Sequence, residues 1–221
     1  MTGRPSGRFV DVAGAHPVLA SSTVFSGMVW DVQADTVALP AGDTVVRQVV
    51  RHPGAVAVLA LDESDQVLVV HQYRHPAEAT LWELPAGLLD APGEDPLEAA
   101  RRELWEETGY VADRWAVLVD FLTTPGFCDE AIRIYLVRGA RLADGPAHER
   151  HGEERDMTVA WAPLDELRDG ILAGQLHNPS LLVGVLAACA ARAADWAPLR
   201  PADDAWAFGP RPLRTPAATK H

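Results

Sequence analysis

Cysteine is scarce in this 221-residue chain, which contains only Cys128 and Cys189. Two cysteines cannot build the disulfide framework of a small secreted protein, and this pair lacks the spacing of a cysteine-based metal site. A reducing compartment is the simplest setting for such a chain. We therefore expect the protein to be cytoplasmic.

Long apolar runs are also missing, and basic residues are fewer than acidic ones. No stretch reaches the roughly 20 apolar residues of a membrane-spanning helix, and the first 18 residues lack the sustained apolar segment of a signal peptide. The 19 Lys and Arg residues against 31 Asp and Glu residues give a formal charge of −12. A nucleic-acid surface should be basic, so we expect neither nucleic acid nor membrane as a partner. A phosphate compound stays possible where a metal ion or a few arginines reverse the local charge.

The composition that is present, 48% hydrophobic and 23% charged, is that of an ordinary globular protein. The length predicts one domain with appendages. We expect residues 1–50 to form an arm and a small antiparallel strand meander that dimerises, and residues 51–195 to form the main domain. Residues 196–221 are predicted to be a loosely ordered, proline-rich tail, in which Trp196, Trp206 and Phe208 could dock.

The hydrophobic periodicity predicts short strands and three helices. The predicted strands cover 24–32, 36–39, 45–50, 55–62, 67–73, 115–122, 132–137 and 157–161. The predicted helices cover 96–107, 163–172 and 179–194. Because these elements form no repeating strand–helix–strand unit, they predict an α+β fold.

The helix predicted at 96–107 has clear end signals and an unusual charge pattern. Asp95 is a suitable N-cap, Pro96 suits the first helical position, and Gly109 is a natural stop. Three acids nevertheless crowd the last turn, where the helix dipole is negative and like charges repel. They are Glu103, Glu106 and Glu107. A bound divalent cation would resolve this conflict; the alternative is a solvated acidic face balanced by arginines.

From Gly87 to Tyr110 the chain resembles the Nudix box, G-x5-E-x7-R-E-U-x-E-E-x-G-U, where U is a bulky apolar residue. The matching residues are Glu94, Arg102, Glu103, Leu104, Glu106, Glu107, Gly109 and Tyr110. One departure occurs: six residues separate Gly87 from Glu94 where the family usually has five. The resemblance implies an α/β/α sandwich with a mixed sheet, and Mg²⁺- or Mn²⁺-dependent hydrolysis of a nucleoside diphosphate derivative.

The same resemblance implies roles for the acids of the box. Glu103 and Glu107 are expected to hold metal ions, with the backbone carbonyl of Ala86 and the side chain of Glu106 completing or supporting the site. Arg102 is expected to orient these glutamates through salt bridges. Glu94 could be either a metal ligand or a structural acid.

Stretches outside the box resemble the ADP-ribose pyrophosphatase branch of the family. They are Leu81–Asp90, Gln72–His75 and Thr124–Phe127. This implies hydrolysis of ADP-ribose to AMP and ribose 5-phosphate. The alternatives are a nucleotide sugar, NADH or a dinucleoside polyphosphate as substrate, or a non-catalytic ADP-ribose sensor. The complete set of box acids argues against the sensor.

The branch also implies a general base on the polar loop before the last strand, which matches Glu154, with Glu153 as its competitor. Arg74 suits a phosphate contact because guanidinium binds phosphate oxygens bidentately, and Glu83 is a further substrate-binding candidate. Trp30 and Arg47 are candidates for binding adenine at a dimer interface, although Trp30 could instead belong to the dimer core. His71 and His75 are expected to be strand residues, because hard Mg²⁺ prefers oxygen ligands.

Overall fold

The computed structural model describes residues 9–91, 93–145, 148 and 155–211. These residues form a three-stranded sheet, a larger mixed sheet, a two-stranded ribbon and three α-helices. The helices are α1 (Pro96–Thr108), α2 (Leu164–Leu172) and α3 (Pro179–Ala193). The strands are β1 (Val18–Ser26), β2 (Asp31–Ala38), β3 (Thr44–Arg51), β4 (Ala55–Leu61), β5 (Gln66–Arg74), β6 (Ala79–Glu83), β7 (Ala86–Leu88), β8 (Tyr110–Val111), β9 (Arg114–Leu122), β10 (Ala131–Arg138), β11 (Arg141–Leu142), β12 (Thr158–Pro163) and β13 (Arg200–Pro201).

The mixed sheet is the middle layer of the main domain, and every residue of β4 is buried in it. Side chains of a strand alternate between the two faces of its sheet. Accordingly, Val56 and Val58 pack with residues of α1, whereas Ala57 and Leu59 pack with residues of α2 and α3. Strand β10 runs parallel to β4 and antiparallel to β9. The predicted α+β class and the α/β/α sandwich with a mixed sheet are therefore confirmed.

The hairpin of β4 and β5 opens soon after its turn, and this opening shapes the site. The two strands pair at Leu61 and Val67. Beyond that point β6 pairs with β5 and β7 pairs with β4, so the segment from β6 to β7 fills the gap between them. Pro85 separates β6 from β7, because proline has no N–H to donate to the ladder. The insertion brings the start of β7 to α1.

Helix α3 packs closely on the opposite face of the sheet. Gly184 makes this possible, because a Cβ atom there would lie 2.8 Å from Cδ1 of Leu84. Asn178 is the N-cap of α3, and its Oδ1 accepts a hydrogen bond from the Leu181 N–H at 3.0 Å. Among the helices in the described ranges, none is long and apolar enough to cross a membrane.

The N-terminal sheet contains the predicted three strands, but the first prediction was wrong in its bounds. Strand β1 starts at Val18 and ends at Ser26, whereas the predicted strand continued to residue 32. The chain turns at this point because the Gly27 N–H donates to the Trp30 carbonyl at 3.0 Å. At the other end of the chain β13 pairs with β9, and the Arg133 guanidinium lies 4.9 Å from the Trp206 ring centroid.

Candidate active site

Helix α1 carries the clustered acids and ends as its sequence predicts. Asp95 accepts a hydrogen bond from the Leu97 N–H at 2.8 Å, and Gly109 adopts a left-handed conformation with φ 76°. The buried Leu104 anchors the helix on the sheet. The helix extends one residue beyond the predicted end, to Thr108. Its last turn is thereby placed beside β7.

Arg102 forms the predicted salt bridges and is the centre of the acidic cluster. Its guanidinium contacts Glu94 at 2.9 Å, Glu103 at 2.5 Å and Glu106 at 3.0 Å. Both carboxylate oxygens of Glu94 accept hydrogen bonds from it. The hydrogen bonds to Arg102 lower the pKa of Glu94, and the bonds to Glu94 raise the pKa of Arg102 above its usual range. One arginine thus holds three of the four box carboxylates near each other.

The other predicted ligands meet where α1 contacts β7. The backbone N–H of Ala86 donates to Oε2 of Glu107 at 2.9 Å, and Glu107 is only 6% exposed. A Cβ atom on Gly87 would lie 2.0 Å from Cδ of Glu103. The structure therefore brings Ala86, Glu103 and Glu107 together. Glu106 is held near them because Arg102 bonds to both Glu103 and Glu106.

The donor set fits a hard divalent cation. Three carboxylates contact Arg102 and a fourth, that of Glu107, accepts from the Ala86 N–H. Carboxylate oxygens are the ligands that Mg²⁺ prefers. Gly87 leaves the space that the Glu103 carboxylate occupies. Across the described ranges no three His, Cys, Asp or Glu side chains are already in a metal-binding arrangement. In the same part of the chain Arg102 and the Ala86 N–H bond to the carboxylates that would bind the ion.

A cleft of about 390 Å³ adjoins the acidic cluster and shares Ala86 and Gly87 with it. Its other lining residues are Ala55, Arg74, Glu83, Leu84, Leu88, Thr123, Thr124, Glu130, Ile132, Asn178, Pro179 and Ser180. Glu83 is 2% exposed, and it holds Arg74 bidentately at 2.9 and 2.7 Å. The Arg74 side chain remains 42% exposed. The Arg74 guanidinium, oriented by Glu83, therefore lines the cleft.

The loop between β9 and β10 forms one wall of this cleft and is attached to the N-terminal sheet. Arg51 contacts Asp129 at 3.0 Å and Asp35 at 2.5 Å, and the His52 N–H donates to Asp129 at 2.9 Å. Glu130, the next residue, lines the cleft, and its Oε2 accepts from the Thr123 hydroxyl at 2.7 Å.

The NUDIX domain profile matches residues 50–180, more than half of the chain. This chain belongs to the Nudix family. The predicted family membership and the predicted class of enzyme, a Nudix pyrophosphohydrolase, are confirmed. The segment from Gly87 to Tyr110, which contains α1, is accordingly the Nudix box, and the cleft lies beside it.

This Nudix chain is similar to three further proteins. An ADP-ribose pyrophosphatase of Mycobacterium tuberculosis is 45% identical over 188 residues, which cover 85% of this chain and 89% of that protein. A methanol dehydrogenase activator of Bacillus methanolicus is 39% identical over 167 residues, covering 76% of this chain and 89% of that protein. The crystal structure of an ADP compounds hydrolase superposes with a TM-score of 0.68 at 19% identity, covering 84% of this chain and 98% of that one. The last similarity supports the Nudix fold.

Trp30 and Arg47 lie away from the cleft within a single Nudix chain. Trp30 packs against Phe25 at 5.5 Å between ring centroids. Arg47 donates to the Val46 carbonyl and lines a separate pocket between the N-terminal sheet and the loop that contains Pro125. Their assignment to adenine therefore stays a prediction that requires a second subunit.

Glu153 and Glu154, the candidate bases, lie outside the described residues, so their assignment also stays a prediction. His71 lies in β5, as predicted, and stacks on Trp82 at 4.3 Å, whereas His75 starts a short 3₁₀ turn after that strand. Sequence reasoning did not connect Thr123 or Ser180 with the cleft. No local signal marks them, because both reach the cleft only through long-range packing.

Proposed function

We propose that this protein is a Mg²⁺-dependent ADP-ribose pyrophosphatase that hydrolyses ADP-ribose to AMP and ribose 5-phosphate. The observation that carries this proposal is the continuity of the cleft with the Nudix box. Gly87 belongs to both, Ala86 directly precedes the box, and Arg74 lines the same cleft. The similarity to the Mycobacterium tuberculosis ADP-ribose pyrophosphatase supports the choice of substrate.

The residues of the box would hold the cation, with Glu103 and Glu107 as ligands and Ala86 and Glu106 in support. A bound divalent cation supplies charge neutralisation for the pyrophosphate and activates a water. Arg74 would bind a phosphate oxygen, and its bidentate bond to Glu83 fixes the plane of the guanidinium. Glu83 is itself buried, so the guanidinium is oriented toward the cleft by an acid inside the protein.

Proton removal from the attacking water is assigned to Glu154, with Glu153 as the alternative. A base must come within about 3 Å of its water, directly or after loop closure. The two acids belong to the highly polar segment of residues 143–156, so closure of this segment over the cleft would deliver one of them.

We also propose that the protein is a cytoplasmic homodimer formed through the N-terminal sheet. Of the nine residues in β1, Val18 is half-buried and the other eight are exposed. Large apolar side chains are exposed on and beside this sheet, namely Leu19, Val24, Phe25, Met28, Val29, Trp30 and Val46. Contiguous exposed apolar residues are typical of a protein interface. The interface would carry Trp30 and Arg47 to the cleft of the partner, where they would contact adenine.

The substrate is tested with a panel of ADP-ribose, a nucleotide sugar, NADH and a dinucleoside polyphosphate, with Mg²⁺ present. We expect the highest kcat/KM for ADP-ribose, with AMP and ribose 5-phosphate as products. Chelation with EDTA should abolish turnover. A clear preference for another member of the panel would replace the proposed substrate, and no turnover of any member would contradict the proposal.

The dimer is tested by light scattering at micromolar concentration. Val24→Glu, which places a charge on the exposed face of β1, should yield monomers with much reduced activity. Leu172→Glu is the matched control, because Leu172 is 72% exposed on α2 and far along the chain from the sheet. A wild-type monomer with full activity would refute the shared-site dimer.

A further inference from the structure

Helix α3 begins at the wall of the cleft. Its N-cap Asn178 and its first two residues, Pro179 and Ser180, all line that wall. The helix has 15 residues, so a substantial dipole ends here with its positive end. None of these residues has a role in the proposed hydrolysis described above.

The first turn of α3 leaves one backbone donor toward the cleft. Pro179 has no N–H, and the Leu181 N–H donates to Oδ1 of Asn178 at 3.0 Å. The Leu182 N–H donates to the Asn178 carbonyl at 3.0 Å. Among the described residues no acceptor is bonded to the remaining N–H of this turn, which belongs to Ser180. An unsatisfied N–H at a helix start is suited to an anion.

The Ser180 hydroxyl lies at the same place. Ser180 is only 8% exposed, yet its Oγ makes no hydrogen bond with the described part of the chain. Within that part, no fully buried side-chain oxygen or nitrogen lacks a partner. Oγ must therefore reach open space, and the cleft is the space that Ser180 lines. Gly184 lies one turn later on the same face of the helix. It explains why Ser180 is buried, because it lets α3 lie close to the sheet.

We infer that the Ser180 N–H and hydroxyl, at the amino end of α3, form an anion subsite for the phosphate of the ribose 5-phosphate half of the substrate. This inference rests on the proposed function for the identity of that half. Two donors on one residue can bind a single phosphate oxygen, and the helix dipole favours its negative charge. Arg74 lines the same cleft and supplies the remaining positive charge. The subsite would also explain why a serine is buried at this position without a protein partner.

Direct binding of ribose 5-phosphate in Mg²⁺-free buffer tests the subsite without turnover. Amide shifts of the ¹⁵N-labelled protein would report its Kd, with neutral ribose as the comparison ligand. Ser180→Ala should weaken ribose 5-phosphate binding about tenfold, because a hydrogen bond to a charged group is lost. Ribose alone should bind the wild type and Ser180→Ala equally weakly.

Asn178→Asp separates electrostatics from folding. Asp is as good an N-cap as Asn and suits the helix dipole, so the Tm should be kept or raised. The new charge at the cleft wall should nevertheless weaken ribose 5-phosphate binding about tenfold or more. Gln175→Glu is the matched control, because it adds the same charge at an exposed position outside the cleft. Its affinity for ribose 5-phosphate should equal that of the wild type.

Unchanged affinity of both Ser180→Ala and Asn178→Asp would overturn the subsite, as would equal binding of ribose and ribose 5-phosphate. Failure of the proposed function has a different signature. In that case the substrate panel would show no preference for ADP-ribose, while the two variants would still weaken binding of the phosphate monoester. Loss of affinity in both variants, with the control unchanged, supports the subsite.

Discussion

The carboxylate of Glu103 occupies the space that a side chain on Gly87 would fill. A Cβ atom at Gly87 would lie 2.0 Å from Cδ and 2.1 Å from Oε1 of Glu103. The absence of a side chain in β7 therefore determines where a box carboxylate can lie. This contact connects the cleft wall, to which Gly87 belongs, with the proposed metal site on α1.

Gly87→Ala is predicted to separate stability from metal binding. The Glu103 carboxylate is the end of a flexible side chain and can rotate away, and Gly→Ala typically stabilises by about 0.4–1 kcal/mol where the backbone allows it. We expect a Tm within about 3 °C of the wild type and at least a tenfold rise in the Mg²⁺ concentration for half-maximal activity. Gly14→Ala, which meets no atom within 4 Å, is the control. A wild-type Mg²⁺ requirement in Gly87→Ala would contradict this account of Glu103.

Glu107→Gln is predicted to remove activity without destabilising the protein. The amide oxygen of Gln can still accept from the Ala86 N–H, and the change removes one of the like charges in the last turn. A lost metal contact should cost several kcal/mol of transition-state stabilisation. Thermal unfolding in EDTA should give a Tm equal to or above that of the wild type. Near-normal turnover at saturating Mg²⁺ would remove Glu107 from the site, and Glu98→Gln on the same helix should leave turnover intact.

Glu154→Gln is predicted to lower kcat by about 10²–10⁴-fold, the usual contribution of general-base catalysis. Gln keeps the size of the side chain but cannot accept the proton of water, so KM and the Mg²⁺ requirement should change little. The measurement is steady-state kinetics over a range of ADP-ribose and Mg²⁺ concentrations. Loss of kcat in Glu153→Gln alone would assign the base to Glu153. If neither variant is impaired, Glu130 is next, because it lines the cleft.

The contribution of Glu94 to stability is predicted to depend on pH. Hydrogen bonds from Arg102 lower the folded-state pKa of Glu94 below 4.5. Its stabilisation is therefore present at neutral pH and is lost as the pH falls through that lowered pKa. In EDTA, Glu94→Gln should lower the Tm by about 2–4 °C at pH 7, since a partly screened pair contributes about 1 kcal/mol.

The same difference in Tm should shrink as the pH falls through the lowered pKa of Glu94, because below that pKa both proteins carry an uncharged side chain at this position. Glu63→Gln, in the exposed turn between β4 and β5, is the control for a general loss of charge. A Tm difference that stays constant while the pH falls from 7 through that pKa would show that Glu94 acts by packing rather than as a charged partner of Arg102.

The elements whose signals are local were predictable. The caps at Asp95 and Asn178 and the stop at Gly109 depend on neighbours within one helical turn. Arg102 also lies within eight residues of every acid that it contacts. The first strand was misplaced because the turn after Ser26 depends on a backbone hydrogen bond, and neither a proline nor an Asn-Gly pair marks that turn in the sequence. The base and the dimer stay predictions.

The sequence by itself determined the box: its acids, its helix and the arginine among them, because all of these act over one or two turns of chain. Only the tertiary structure decided which residues of other segments line the cleft beside that box. The β6–β7 segment enters the opened β4–β5 hairpin, and the contact of Arg51 with Asp129 spans 78 positions. Ser180 joins Arg74 in one cleft only because α3 packs on the sheet beneath both. Such contacts depend on side-chain packing between distant segments, which local periodicity does not encode.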